Sequence, residues 1–126
     1  MDTRRKILTA PVAGDVLPDI SKRKVLIGHF DPLYAAHVRR LREVCAPGET
    51  IVVVLTDPPK PLLPAAARAE LVAGLGVVAH VIISDDNQVE ELIGRLAPTE
   101  VLREGAADER RTDSLISHVR ARQVAR

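Results

Sequence analysis

Tryptophan is absent from this chain, and phenylalanine, tyrosine and cysteine occur once each. With aromatics at 2% of residues, any core has to be built from Val, Leu, Ile and Ala. Aliphatic runs of that kind suit a parallel sheet covered by helices on both faces. The one cysteine, Cys45, excludes an intramolecular disulfide framework and fits a reducing compartment. It falls on a predicted helix and reads as a small buried thiol. No apolar run approaches the ~20 residues that a membrane span requires. The first residues carry charge without an apolar core of signal-peptide length. A cytoplasmic location, with no membrane partner, is the resulting expectation. An excess of one charge is missing too, since 18 Lys and Arg against 17 Asp and Glu leave a net charge of +1. Bulk charge therefore argues neither for nor against nucleic acid. The basic end from Arg120 to Arg126 has no aromatics interleaved with it, so no nucleic-acid partner is expected. Cys/His metal spacing, G-x-G-x-x-G, a P-loop and a nucleophile elbow are also absent.

What remains is a 126-residue chain, 46% apolar, of a length for one domain and one core. Residues 1–21 read as an N-terminal arm or loop with short apolar pieces at Ile7-Leu8 and Val16-Leu17, and residues 22–126 as the domain. Val25-Leu26-Ile27 reads as a strand. Asp31-Pro32 then looks like a capping carboxylate before a first-turn proline, and Tyr34, Val38, Leu41 and Cys45 form one apolar stripe of a helix. Thr50 to Thr56 is an unbroken aliphatic run flanked by threonines, which predicts a doubly buried strand before the proline-rich loop Asp57-Pro58-Pro59-Lys60-Pro61. A helix from Pro64 to about Leu75, a strand from Val77 to Ile83, a helix from about Gln88 to Leu96 and a short strand at Val101-Leu102 follow. The last helix is expected to start near Thr112 or Asp113. Alternating strands and helices imply right-handed crossovers and a parallel sheet.

Lys24 to Val38 concentrates what is rare elsewhere, namely Phe30, Tyr34 and two of the four histidines, His29 and His37. A strand running through a glycine turn into a helix start is where open α/β proteins place phosphate groups, because unpaired N–H donors and the positive dipole end converge there. Within it, Gly28-His29-Phe30-Asp31-Pro32-Leu33-Tyr34-Ala35-Ala36-His37 resembles the G-x-F-D-x-x-(H/T)-x-G-H signature of the nucleotidyltransferase superfamily, cytidylyltransferase-like group. Leu55-Thr56-Asp57 with Lys60, then Arg68-Ala69-Glu70-Leu71, are similar to that family's second strand, loop and following helix. Arg103-Glu104-Gly105 is similar to the end of its fourth strand.

The resemblance implies an α/β fold, with a Rossmann-like parallel sheet of four to five strands, helices on both faces, and a shortened C-terminal end. It implies transfer of AMP or CMP from ATP or CTP to a small phosphorylated acceptor, with pyrophosphate released and Mg²⁺ accompanying the triphosphate. Carried over residue by residue, it makes His37 the catalytic histidine. Gly28, Phe30, Asp31, Tyr34, His37, Gly105 and Thr112 become nucleotide-binding residues, and no side chain is assigned to a metal. Lys60 and Arg68 are read either as contacts to the acceptor's phosphate or as ordinary solvent-facing residues. His29 sits at a variable position of the motif and reads as surface decoration. Three departures stand out. Tyr34 replaces His or Thr, Ala36 replaces Gly, and Asp113 puts negative charge into Arg111-Thr112-Asp113-Ser114-Leu115-Ile116-Ser117, the nearest match to the family's second motif. Tyr34 and Ala36, with the shortened C-terminal end, motivate an alternative, a catalytically impaired relative acting as a nucleotide-binding, regulatory or oligomerisation module. A homodimer is left open.

Overall fold

Ile51-Val52-Val53-Val54-Leu55 is β-branched in four of its five residues and buried in all five, the mark of a strand covered on both faces. It lies in the middle of the sheet. The computed structural model describes residues 2–9 and 23–124. In chain order these form a short 3-10 turn at Arg4–Lys6, β1 (Ile7–Thr9), β2 (Lys24–Gly28), α1 (Ala35–Val44), β3 (Ile51–Leu55), α2 (Ala65–Ala73), β4 (Val78–Ile83), α3 (Val89–Leu96), β5 (Glu100–Arg103) and α4 (Gly105–Val124). The expected parallel sheet is present, with five strands in the order β1-β4-β3-β2-β5.

Alternation along each strand divides the core into two layers. Val25, Ile27, Val52, Val54 and Ile82 face Val89, Leu92 and Leu96 of α3. Leu26, Ile51, Val53, Leu55 and Val81 face the other way, toward Leu41 of α1 and Ala69, Val72 and Ala73 of α2. The small α2 residues let that helix lie close to the sheet without aromatic bulk.

Four boundaries differ from the sequence reading. The Ile7-Leu8 piece of the expected arm is the edge strand β1, in register with Val81 and Ile82 of β4, while Val16-Leu17 lies outside the described residues. Helix α1 starts at Ala35 rather than at Pro32, because the Asp31 carboxylate serves another segment, described below. Cys45 is the half-buried residue that closes α1, in extended conformation, and burial raises its thiol pKa. The last helix starts at Gly105, directly after β5, seven residues before Thr112.

The strands end together. Thr56 N–H donates to Gly28 O at 3.0 Å, Ser84 N–H to Leu55 O at 3.0 Å, and Glu104 N–H to Ile27 O at 2.8 Å. The chain progresses from β2 through β3 to β4, then returns to place β5 on the opposite side of β2. That reversal makes the carboxyl ends of β2 and β5 a topological switch point, where open α/β sheets leave a crevice.

Candidate functional site

The turn after Gly28 faces this crevice. Phe30 adopts a left-handed backbone (φ 49°) that reverses the chain, and its ring is buried beneath the turn, 5.1 Å from the His37 ring. Gly28 itself is required by a close approach, since a Cβ placed on it would lie 2.5 Å from Asp108 Oδ2 and 3.1 Å from the Phe30 ring.

His37 sits on the first turn of α1, 1% exposed. Its Nδ1 accepts the Tyr34 N–H at 3.2 Å, so in the neutral ring the proton belongs on Nε2. Nε2 lies 3.0 Å from Asp108 Oδ1, an electrostatic contact rather than an aligned hydrogen bond. The half-buried Tyr34 stands edge-on to the same imidazole, with ring centroids 4.7 Å apart. Its phenol pKa is raised, chiefly by burial, so the group stays neutral and carries no charge to a ligand.

Asp108, in the first turn of α4, is the partner on which the site converges. It is 1% exposed. Its Oδ2 accepts the His29 backbone N–H at 2.7 Å, and its Oδ1 accepts from Arg111 Nη1 at 2.8 Å beside His37. Burial alone would raise its pKa. The contacts with His37, with the His29 N–H and with Arg111 outweigh that and hold it below the ordinary aspartate value. Behind it, the Arg40 guanidinium pairs with the buried carboxylate of Glu104. Arginine at each site gives a charge that no working pH removes. The gap enclosed by Leu26, Phe30, His37, Arg40, Glu104, Asp108 and Arg111 has no room for a water molecule.

Beside this cluster lies a more open cleft of about 210 Å³, lined by His29, Asp31, Pro58, Pro59, Lys60 and Thr112 and by the carboxylates Glu109 and Asp113. His29 lines it without being surface decoration. It is largely buried, a Cβ added to Gly105 would lie 3.4 Å from its Nε2, and its carbonyl accepts from Arg68. Asp31 is buried and accepts the N–H groups of Leu62 (2.6 Å) and Leu63 (2.9 Å), which pins the proline-rich loop rather than capping α1. Thr112 donates to Asp31 O at 2.8 Å and so ties α4 to the turn between β2 and α1. Lys60 is exposed at the rim. Arg68, by contrast, is fully buried. It donates to Leu63 O, His29 O and Thr56 O at 3.0–3.1 Å and pairs with the Asp57 carboxylate, so its guanidinium clasps three segments instead of facing solvent.

Of the residues singled out from the sequence, Gly28, Phe30, Tyr34 and His37 meet at the cradle, and Asp31, Lys60 and Thr112 meet at the neighbouring cleft. Gly105 lies between, opening α4. Arg40 and Asp108 were not singled out, and Glu104 and Arg111 figured only inside motif segments with no role of their own. The local signal for Asp108 was Arg111 at i+3, which is a common spacing for a solvated pair.

A glycine turn, a buried histidine and converging N–H and guanidinium donors thus meet at the switch point of an open, parallel α/β sheet. No protein-family model matches the chain. It is 31% identical over 112 residues to the bifunctional protein HldE of Campylobacter curvus, covering 80% of this chain and 24% of that protein. It is 30% identical over 94 residues to the FAD synthase of Methanosarcina acetivorans, covering 70% of this chain and 60% of that one. The FAD synthase of Ferroglobus placidus is 30% identical over 83 residues, with 61% and 55% covered. The chain thus spans less than two thirds of each relative. It is related to the cytidylyltransferase-like nucleotidyltransferase superfamily. No helix among the described residues is long and apolar enough to cross a membrane.

Proposed function

We propose that this chain carries out nucleotidyl transfer, moving AMP or CMP from ATP or CTP to a small phosphorylated alcohol or sugar. An oxygen of the acceptor's phosphate attacks the α-phosphorus. The bond from that phosphorus to the oxygen bridging toward the β-phosphate breaks, and pyrophosphate leaves with the electron pair. Such a reaction needs position and positive charge more than a covalent nucleophile. The observation that carries the reading is the anion cradle, in which His29 N–H, His37 Nε2 and Arg111 converge on one carboxylate at the sheet's carboxyl edge. On this reading His37 is the residue for the phosphates, Gly28 leaves bare the space that Asp108 Oδ2 takes in this structure, and Lys60 and Thr112 line the cleft for the acceptor or the rest of the nucleotide. Arg68 and Asp31 act as positioning residues through the loop they hold.

Among the described residues no group of three or more His, Cys, Asp or Glu side chains is placed to hold a metal, and both Asp31 oxygens are taken by backbone N–H groups. Mg²⁺ is therefore read as part of the substrate, carried on triphosphate oxygens.

Pyrophosphate release from ATP and CTP with a panel of phosphorylated acceptors tests this reading. Turnover that falls by about 10²-fold in His37→Ala, the size of a lost oxyanion donor, supports it; turnover indifferent to that change removes His37 from its role. One observation favours a second reading. A carboxylate already fills the cradle, as it would in an impaired relative serving as a nucleotide-binding or regulatory module. Calorimetry that finds ATP or CTP binding without turnover under any acceptor selects it.

A further inference from the structure

Asp108 is placed unlike an ordinary first-turn acid. A carboxylate there gains from its own helix dipole and from its own unpaired N–H groups. This one instead reaches across to another element, taking the His29 N–H of the β2 turn and lying against His37 of α1, with Arg111 from its own helix closing the far side. Its Oδ2 occupies the space directly above the Gly28 Cα, the space that the glycine leaves free. The pocket around it admits no water, so a phosphoryl group and this carboxylate cannot occupy it together. The charge ledger agrees. Two guanidiniums of the cradle are already matched, Arg40 by Glu104 and Arg111 by Asp108.

We infer that Asp108 is a built-in anion that shuts the phosphate cradle, and that phosphoryl ligands bind by displacing its carboxylate from the His29 N–H, His37 and Arg111. The identity of the ligand rests on the function proposed above. The competition itself follows from one carboxylate and one phosphoryl group needing the same donors. Moving the carboxylate out restores Arg111, His37 and the turn N–H as an unoccupied set of donors, and a charged acceptor in that set is worth more than a neutral one.

The inference is tested with pyrophosphate as the probe, on the intact chain and on Asp108→Ala and Asp108→Asn, by calorimetry and by thermal melting. Asp108→Ala should bind pyrophosphate at least about tenfold more tightly than the wild type, the scale of one charge-assisted contact freed. Its melting temperature should rise with pyrophosphate concentration while the wild type's barely moves. Adding Arg111→Ala should abolish the gain, which a general loosening of the fold would not do. Asp108→Asn keeps the size and can still accept the His29 N–H, so it covers the case in which the alanine variant does not fold. Losing the charge alone should still strengthen pyrophosphate binding. Folded Asp108 variants that bind pyrophosphate no better than wild type overturn the inference. So does failure of both variants to fold even with pyrophosphate present, since the ligand should replace the lost carboxylate. ATP and CTP form a separate arm. Tighter pyrophosphate binding with neither nucleotide bound keeps the built-in anion and rejects the nucleotide reading, whereas nucleotide binding equal in wild type and variants does the reverse.

Discussion

Three residues, Arg68, Gly28 and Asp108, carry most of the physical argument, and each has a consequence that can be measured. Arg68 satisfies three carbonyls and a carboxylate from a fully buried position. Arg68→Ala leaves carbonyls buried without a donor, at about 1–3 kcal/mol for each, while the largely exposed Asp57 carboxylate returns to water; urea unfolding should read the loss. Arg68→Lys should restore little, because one ammonium cannot span Leu63, His29 and Thr56 at once. Gly28→Ala pushes a methyl group toward Asp108 Oδ2. It should destabilise the wild type but do so less in an Asp108→Gly background, with a coupling of about 0.5–3 kcal/mol in a double-mutant cycle. Asp108 also sets a pH dependence. Its folded pKa lies below the unfolded one, so its stabilising contribution is fully present above the ordinary aspartate value of ~3.9 and is lost as pH falls through the lower folded value. Acid unfolding of Asp108→Asn should lack that component.

At the scale of elements, helices differ in how firmly the core holds them. Leu41 is the fully buried apolar anchor of α1 against the sheet, and Leu41→Ala should cost about 2–5 kcal/mol. Helix α4 is held at its start by Asp108, Arg111 and Thr112, whereas residues 117–122 are exposed. Val119→Ala in that half should change stability by no more than ~0.5 kcal/mol. The asymmetry matters for the cradle, because the turn that carries Asp108 is the part of α4 tied to the site.

For the molecule as a whole, hydrogen exchange should find the slowest amides in β2, β3 and β4, each flanked by two strands, and faster exchange in the three-residue edge strand β1. The sheet is therefore a rigid floor. What can change without disturbing that floor is the set of turns and first helical turns along the carboxyl edge, where the cradle and the cleft both lie.

The amino-acid sequence by itself determined the parallel α/β sheet, because aliphatic runs such as Ile51–Leu55 alternate with helical stripes and leave no other way to bury both strand faces. It also determined the strand–turn–helix at Gly28, Phe30 and His37, since that information is local. It did not reveal that Ile7-Leu8 pairs with β4, for two apolar residues and a threonine become a strand only when a neighbour offers its edge. It did not separate a loop-pinning Asp31 from a helix cap, or a clasping Arg68 from an exposed one, because each depends on acceptors brought in from elsewhere in the fold. Above all, only the tertiary structure decided what occupies the cradle. Asp108 lies 80 positions from Gly28 in the chain, and nothing in the spacing of either residue relates them. Closing the sheet with β5 beside β2 and starting α4 at once brings that carboxylate over the glycine, into the turn between β2 and α1.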